Sequence, residues 1–234
     1  MVIHMSQIGS KRISQHFGTG IFAELNEKKE EMEKKGRKLY NLFVGTPDFA
    51  PAPHIMEAVQ KSAANPEDNK YSLVDIPELL DAVVDYYQER FKVSITPDMI
   101  TGVHGSQEGI GHVCMALCDP GDVVLLPNPG YPIFEAGAYL AQTEQYFYDL
   151  KEENHFLPVL SEIPEDIARR AKVMIVSYPY NPVCKTAPAS FYDELIAFAR
   201  KYDIFIIHDN AYSDIIYDGR VGGSFLQHEG AGEV

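Results

Sequence analysis

The sequence predicts an α/β fold, a mostly parallel sheet sandwiched by helices. Three observations point there. From residue 99 onward, short apolar runs alternate with amphipathic stretches of helical length. Proline, glycine and asparagine clusters punctuate nearly every junction. The run Ile204-Phe205-Ile206-Ile207 has the unbroken apolar character of a fully buried parallel strand. At 234 residues, 45% hydrophobic and 23% charged, the chain is long enough to bury a full core.

Residues 19–38 read as a charged helix with a sparse apolar stripe at Ile21, Leu25 and Met32, closed by Gly36. A short strand is expected at 39–44. Helices follow at 53–64 and at 76–91, the latter with apolar positions Ile76, Leu79, Leu80, Val83, Val84, Tyr87 and Phe91. Strand 99–103 then leads into helix 106–118. The turn Asp119-Pro-Gly-Asp122 opens strand 123–127. Helix 132–141, strand 144–148, helix 162–171, strand 172–178, helix 189–202 and strand 204–208 complete the order.

The totals exclude several functional classes. A net charge of −14 opposes binding to nucleic acid or an anionic membrane. No apolar run reaches the roughly 18 residues of a membrane-spanning helix. Met1-Val-Ile-His-Met5 lacks the basic and apolar regions of a signal peptide, so the expected location is cytoplasmic. Three cysteines do not make a disulfide framework. Cys114 and Cys118, four apart on a helix, could present two thiolates to a metal, but two small core residues on one apolar face is the favoured reading.

Four places could carry chemistry. Gly102-Val-His-Gly-Ser-Gln-Glu-Gly109 joins a strand to a helix, and the free N–H groups of a first helical turn favour a phosphate. It is neither GxGxxG nor a P-loop, and Gly-rich turns capped by Ser are equally common for packing. In Asn128-Pro-Gly-Tyr131-Pro132, two prolines fix where the ring points, either over a planar ligand or over the helix start. Asn181, after Ser177-Tyr-Pro-Tyr, could donate its amide to a ligand oxygen or simply form a turn. Asp209, with Tyr212 three residues on, closes the apolar strand. A buried carboxylate there needs a cation or a set of donors, and a capped turn is the structural alternative. All four are expected at strand carboxyl ends, where open α/β sheets bind ligands.

Together these residues resemble the class I/II aminotransferases of fold type I, which use pyridoxal 5′-phosphate. The resemblance runs through Gly45-Thr-Pro-Asp-Phe49, Tyr71 before Ile76-Pro-Glu-Leu79, Gly105-Ser-Gln-Glu108, Asp119-Pro-Gly-Asp122, Pro129-Gly-Tyr-Pro132, Asn181-Pro182 and Asp209-Asn-Ala-Tyr212. It implies that backbone amides of Ser106 and Gln107 hold the cofactor phosphate and that Tyr131 stacks on the pyridine ring. It also implies that Asn181 and Tyr212 donate to the ring's phenolic oxygen, and that Asp209 keeps the ring nitrogen protonated. Gly45 resembles the residue whose backbone meets the substrate carboxylate, and Tyr71 the one reaching the partner subunit's phosphate in a homodimer. The implied partners are an amino acid and a 2-oxo acid.

The resemblance divides the chain into an N-terminal arm with part of a small domain (1–44) and an incomplete cofactor-binding large domain (45–234). The family's Schiff-base Lys is expected beyond Val234, in a Ser-x-Ser-Lys setting that Lys151, Lys172, Lys185 and Lys201 lack. The expectation is therefore an N-terminal portion, inactive alone and with no catalytic residue of its own. Val183-Cys184-Lys185 departs from the family's usual Thr or Leu and then Gly or Asn after Asn-Pro, and leaves the substrate open. A β-lyase with the same cofactor and a non-catalytic fragment or sensor module are the alternatives to transamination.

Overall fold

The computed structural model describes residues 10–18, 20–42, 45–47, 49–220 and 222–234. The chain separates into two compact units, Met1–Tyr71 and Ser72–Val234.

In the first unit the described helices are α1 (Lys11–His16), α2 (Ile21–Lys34) and α3 (Pro53–Ala63). Leu25 and Met32 share a half-buried face of α2. Gly36 sits at φ +74° just past the end of α2. Its N–H bonds Glu33 and the next N–H bonds Met32, at 2.9 and 3.1 Å, the paired reverse bonds of a Schellman closure. The strand expected at 39–44 is absent over Leu39–Leu42, which are exposed and irregular; residues 43 and 44 lie outside the described residues.

The second unit opens with α4 (Pro77–Phe91), started by proline at its first position and stopped by Lys92 in the left-handed region. Its buried contact is Phe91, with Leu80, Val83, Val84 and Tyr87 half-buried and Ile76 and Leu79 exposed. No strand forms at 99–103. Met99 ends a 3₁₀ turn (Pro97–Met99), and the Gly102 N–H that a ladder would use bonds the Asp75 carboxylate at 2.8 Å. Helix α5 (Ser106–Leu117) follows.

Four parallel strands form the sheet: β1 (Val123–Asn128), β2 (Glu144–Asp149), β3 (Ala171–Ser177) and β4 (Phe205–Asp209), in the order β2-β1-β3-β4. β1 and β3 are central, and Val123–Leu126 and Val173–Val176 are at most 1% exposed, as a sheet covered on both faces demands. β4 is an edge strand of this sheet, not the fully buried one expected. Phe205 is exposed, Ile206 is buried, and Ile207, His208 and Asp209 are half-buried.

Helices α6 (Pro132–Leu140), α7 (Glu165–Arg170) and α8 (Ala189–Tyr202) connect the strands. The helix expected at 162–171 is broken by Pro164. A 3₁₀ turn, Leu160–Glu162, precedes it, and α7 starts only after it. Cys114 is completely buried in the core and burial pushes its thiol up to about 12; Cys118 is half-buried beside the same cluster. Both are packing residues.

α5 and α6 meet at glycines. A Cβ on Gly137 would lie 2.8 Å from the Ile110 carbonyl oxygen and 3.1 Å from the Gly111 Cα, both backbone atoms. Gly137→Ala should therefore lower stability by about 1–3 kcal/mol, measured by denaturant unfolding. Gly109→Ala, whose new methyl would meet only Val103 at 3.5 Å, should be neutral or stabilise by about 0.5–1 kcal/mol through helix propensity. Equal effects at the two positions contradict this packing.

Candidate cofactor site at the strand ends

The sheet order makes β1 step outward to β2 and β3 step outward the other way to β4. The crevice beyond the carboxyl ends of β1 and β3 is thus a topological switch point, where such sheets bind ligands. Each of the two central strands ends in a loop starting with a cis peptide, Asn128-Pro129 after β1 and Tyr178-Pro179 after β3. The loops are tied together by Tyr180, which is 2% exposed and donates its hydroxyl to the Pro129 carbonyl.

β1's loop carries Tyr131, the cap of α6. Gly130 is obligatory there, because a Cβ would fall 2.5 Å from the Pro127 carbonyl oxygen. Tyr131 is half-buried, edge-on to Phe134 at 6.2 Å, and its hydroxyl accepts from Gln107 Nε2 at 2.8 Å. Gln107 therefore links the starts of α5 and α6 through its side chain, a contact that loop spacing could not reveal.

Ser106 and Gln107 are the first two residues of α5, and both are exposed. The cap is Gly105 at φ +86°, not Ser106. Glu108 turns back to accept the His104 backbone N–H at 2.6 Å, with the His104 ring 3.3 Å away, and these contacts hold its carboxyl below the usual range. The first-turn amides of Ser106 and Gln107 have no carbonyl one turn back within the helix.

After β3, Asn181 is half-buried and its Nδ2 donates to the Tyr212 hydroxyl at 3.3 Å. Cys184 turns the same loop at φ +52°, exposed, its N–H bonded to the Tyr180 carbonyl at 2.6 Å. Asp209, the last residue of β4, pairs in register with Ser177 of β3. Burial raises its carboxyl above the ordinary 3.8, opposed by bonds from the Ala211 N–H and the Ser177 hydroxyl. Asp209 is half-buried, not fully buried as the apolar run suggests. Its charge also adds to the burial that pushes the Tyr180 phenol up, keeping that phenol neutral. Ser177 and Tyr180 stand inside the motif the sequence singles out, yet their roles follow only from strand register and loop pairing.

Ser106, Gln107, Tyr131, Asn181, Asp209 and Tyr212 all belong to the second unit, on the carboxyl side of its sheet. Gly45 and Tyr71 belong to the first unit; both are exposed, Tyr71 to 90%. No cluster of metal-ligating side chains occurs among the described residues, and no described helix is long and apolar enough to cross a membrane.

The profile of the family described as aminotransferase class I and II matches residues 37–228. The chain belongs to this family. Among curated relatives, the LL-diaminopimelate aminotransferase of Aquifex aeolicus is 43% identical over 217 residues, covering 92% of this chain and 56% of the relative. That of Moorella thermoacetica is 41% identical over 217 residues, covering 92% and 55%. Among solved structures, substrate-bound BacF from Bacillus subtilis is similar at a TM-score of 0.90 and 34% identity, over 97% of this chain and 57% of that one. An aminotransferase from Staphylococcus aureus is similar at 0.85 and 29%, also over 97% and 57%. The chain spans just over half the length of the curated relatives it matches. The aminotransferase family is pyridoxal-phosphate dependent.

Behind the site, on the other face of β4, His208 sits within 3.2 Å of the Tyr192 hydroxyl and 5.9 Å of the Phe225 ring centre. Burial first, and nearby His228 second, lower its pKa from 6.5 to about 4. The folded state thus binds fewer protons than the unfolded state between these values, so stability is full above pH 6.5 and is lost as pH falls toward 4. Relative to His208→Gln, the protein should lose up to about 3 kcal/mol across this window in denaturant unfolding. Parallel pH curves for the two proteins contradict the assignment.

Proposed function

We propose that the protein containing this chain is a pyridoxal-phosphate-dependent aminotransferase, moving an amino group between an amino acid and a 2-oxo acid. The names of its curated relatives favour LL-diaminopimelate, a diamino dicarboxylate, as the amino donor. The observation that carries the reading is the Asp209 carboxylate: partly desolvated, raised in pKa, and placed at the carboxyl end of β4, three residues before the Tyr212 whose hydroxyl meets Asn181.

The residues present fit the cofactor's chemistry. When bound, pyridoxal phosphate supplies an electron sink for the carbanion left at the substrate's α-carbon. Asp209 is suited to hold a proton on the pyridine nitrogen, since a nearby cation relieves the desolvation that raises its carboxyl. Ser177 and Ala211 orient that carboxylate through the bonds they donate. Asn181 Nδ2 and the Tyr212 hydroxyl, 3.3 Å apart, offer two donors to one ring oxygen. The amides of Ser106 and Gln107, at the positive end of α5, suit a phosphate dianion. Tyr131, restrained by Gln107 and Gly130, offers an aromatic face.

Gly45 enters the reading as the backbone contact to the substrate carboxylate, and Tyr71 as the residue given to the partner of a homodimer. The exposure of the Tyr71 ring is in keeping with that role.

The test is cofactor binding to the full protein. The wild type should bind pyridoxal phosphate, develop an absorbance band that shifts with pH, and form a 2-oxo acid-dependent product from LL-diaminopimelate. Asp209→Ala should weaken cofactor binding by about 10- to 100-fold, the worth of a hydrogen bond between charged groups. Tyr212→Phe should have a smaller effect and move the midpoint of the band. Unchanged affinity and titration in Asp209→Ala contradict the reading.

A further inference from the structure

A cluster outside the residues assigned above ties α4 to the turn that carries Tyr212. The Asp214 carboxylate accepts on both oxygens: the Tyr86 hydroxyl donates to Oδ2 at 2.6 Å, and Arg90 Nε and Nη2 donate to Oδ1 at 3.1 and 3.0 Å. These bonds join residues 128 and 124 positions apart. They and the positive charge of Arg90 hold the Asp214 carboxyl below its ordinary value.

An exposed ion pair adds little stability by itself. What distinguishes this one is where each end is fixed. On the α4 side, Tyr86 packs edge-on against Phe91 at 5.6 Å, and Phe91 is 3% exposed. The donors thus stand on an anchored stretch of helix. On the other side, Asp214 closes the turn at 211–214, which is tightened by the Ile215 N–H bonding the Tyr212 carbonyl at 3.0 Å.

That turn already rests on residues 222–223. A Cβ on Gly222 would come within 2.0 Å of the Ser213 carbonyl oxygen, and Asn210 Nδ2 bonds the Gly223 carbonyl at 3.1 Å. Asp214 ties the turn to a second support, α4. Between the two supports stands Tyr212, whose hydroxyl meets Asn181.

We infer that Asp214 is a positioning residue: clamped by Arg90 and Tyr86, it fixes the turn that holds the Tyr212 hydroxyl beside Asn181, where both would meet the cofactor's ring oxygen. This rests on the proposed function. It assigns Asp214 no contact with cofactor or substrate, and acts wholly through Tyr212.

The experiment uses the full protein, with pyridoxal phosphate as probe. Asp214→Ala and Asp214→Glu are each made alone and in a Tyr212→Phe background. The dissociation constant and the midpoint pH of the bound cofactor's absorbance change are measured. Asp214→Ala should weaken binding about 10-fold, the scale of one misplaced hydrogen bond. It should also move the midpoint in the direction that Tyr212→Phe moves it. Asp214→Glu, which keeps the carboxylate, should restore most of both. In the Tyr212→Phe background Asp214→Ala should have no further effect, as required of residues acting as one unit.

Equal losses in the two backgrounds overturn the inference. So does an Asp214→Ala protein whose thermal midpoint falls while binding and titration stay at wild-type values. Wild-type protein that binds no pyridoxal phosphate overturns the proposed function and this inference together. Binding by the wild type with an inert Asp214 leaves the proposed function standing and removes only the inference.

Discussion

The structure of the site depends on the register between β3 and β4. Pairing Ser177 with Asp209 puts a carboxylate at the end of an edge strand, partly out of water and within reach of a hydroxyl donor. Side chains alternate between the faces of a strand, so the residue before Asp209 points the other way. That residue is His208, held among Tyr192, Phe225 and His228. Turning Asp209 toward solvent would drag the imidazole out of its aromatic surroundings. A slip of one residue would exchange the two faces altogether. The aromatic packing behind the sheet therefore keeps a partly desolvated carboxylate in front of it, where the proposed partner is a cationic ring nitrogen.

Within the second unit, the other candidate residues are linked by contacts between loops rather than by the strands alone. Tyr180 joins the loops after the two central strands, Gln107 joins the starts of α5 and α6, and Asn181 meets Tyr212. Each contact couples segments from different parts of the chain. The crevice can hold donors at fixed positions because every loop in it is tied to another. Glycine matters in the same way at Gly130, where the chain folds against its own backbone and a side chain has no room.

The βα alternation is legible because buried strands and amphipathic helices have different periods, and eight of the second unit's elements begin and end within one residue of where the pattern places them. The strand expected at 99–103 failed because an apolar run does not specify a partner, and Asp75 takes the Gly102 N–H instead. In this chain β4 pairs with β3 alone, which leaves it less covered than its apolar run implies. Its composition suits a central strand, whereas its exposure depends on which neighbour it has. Pro164 was a readable stop that the apolar pattern around it obscured. In the site, the motif residues were visible as loop punctuation. Ser177 as a donor to Asp209, the Gln107 side chain on Tyr131, and Asp214 between Arg90 and Tyr86 were not. Those contacts join segments whose proximity no local pattern encodes.

The central claim is that Asp209 holds a proton on the nitrogen of a bound pyridine ring. The most direct measurement is the nitrogen-15 chemical shift of ring-labelled pyridoxal phosphate bound to the full protein, compared with Asp209→Ala, near neutral pH. The account predicts a protonated ring nitrogen in the wild type and a deprotonated one in the variant. A ring nitrogen in the same protonation state in both proteins would contradict it.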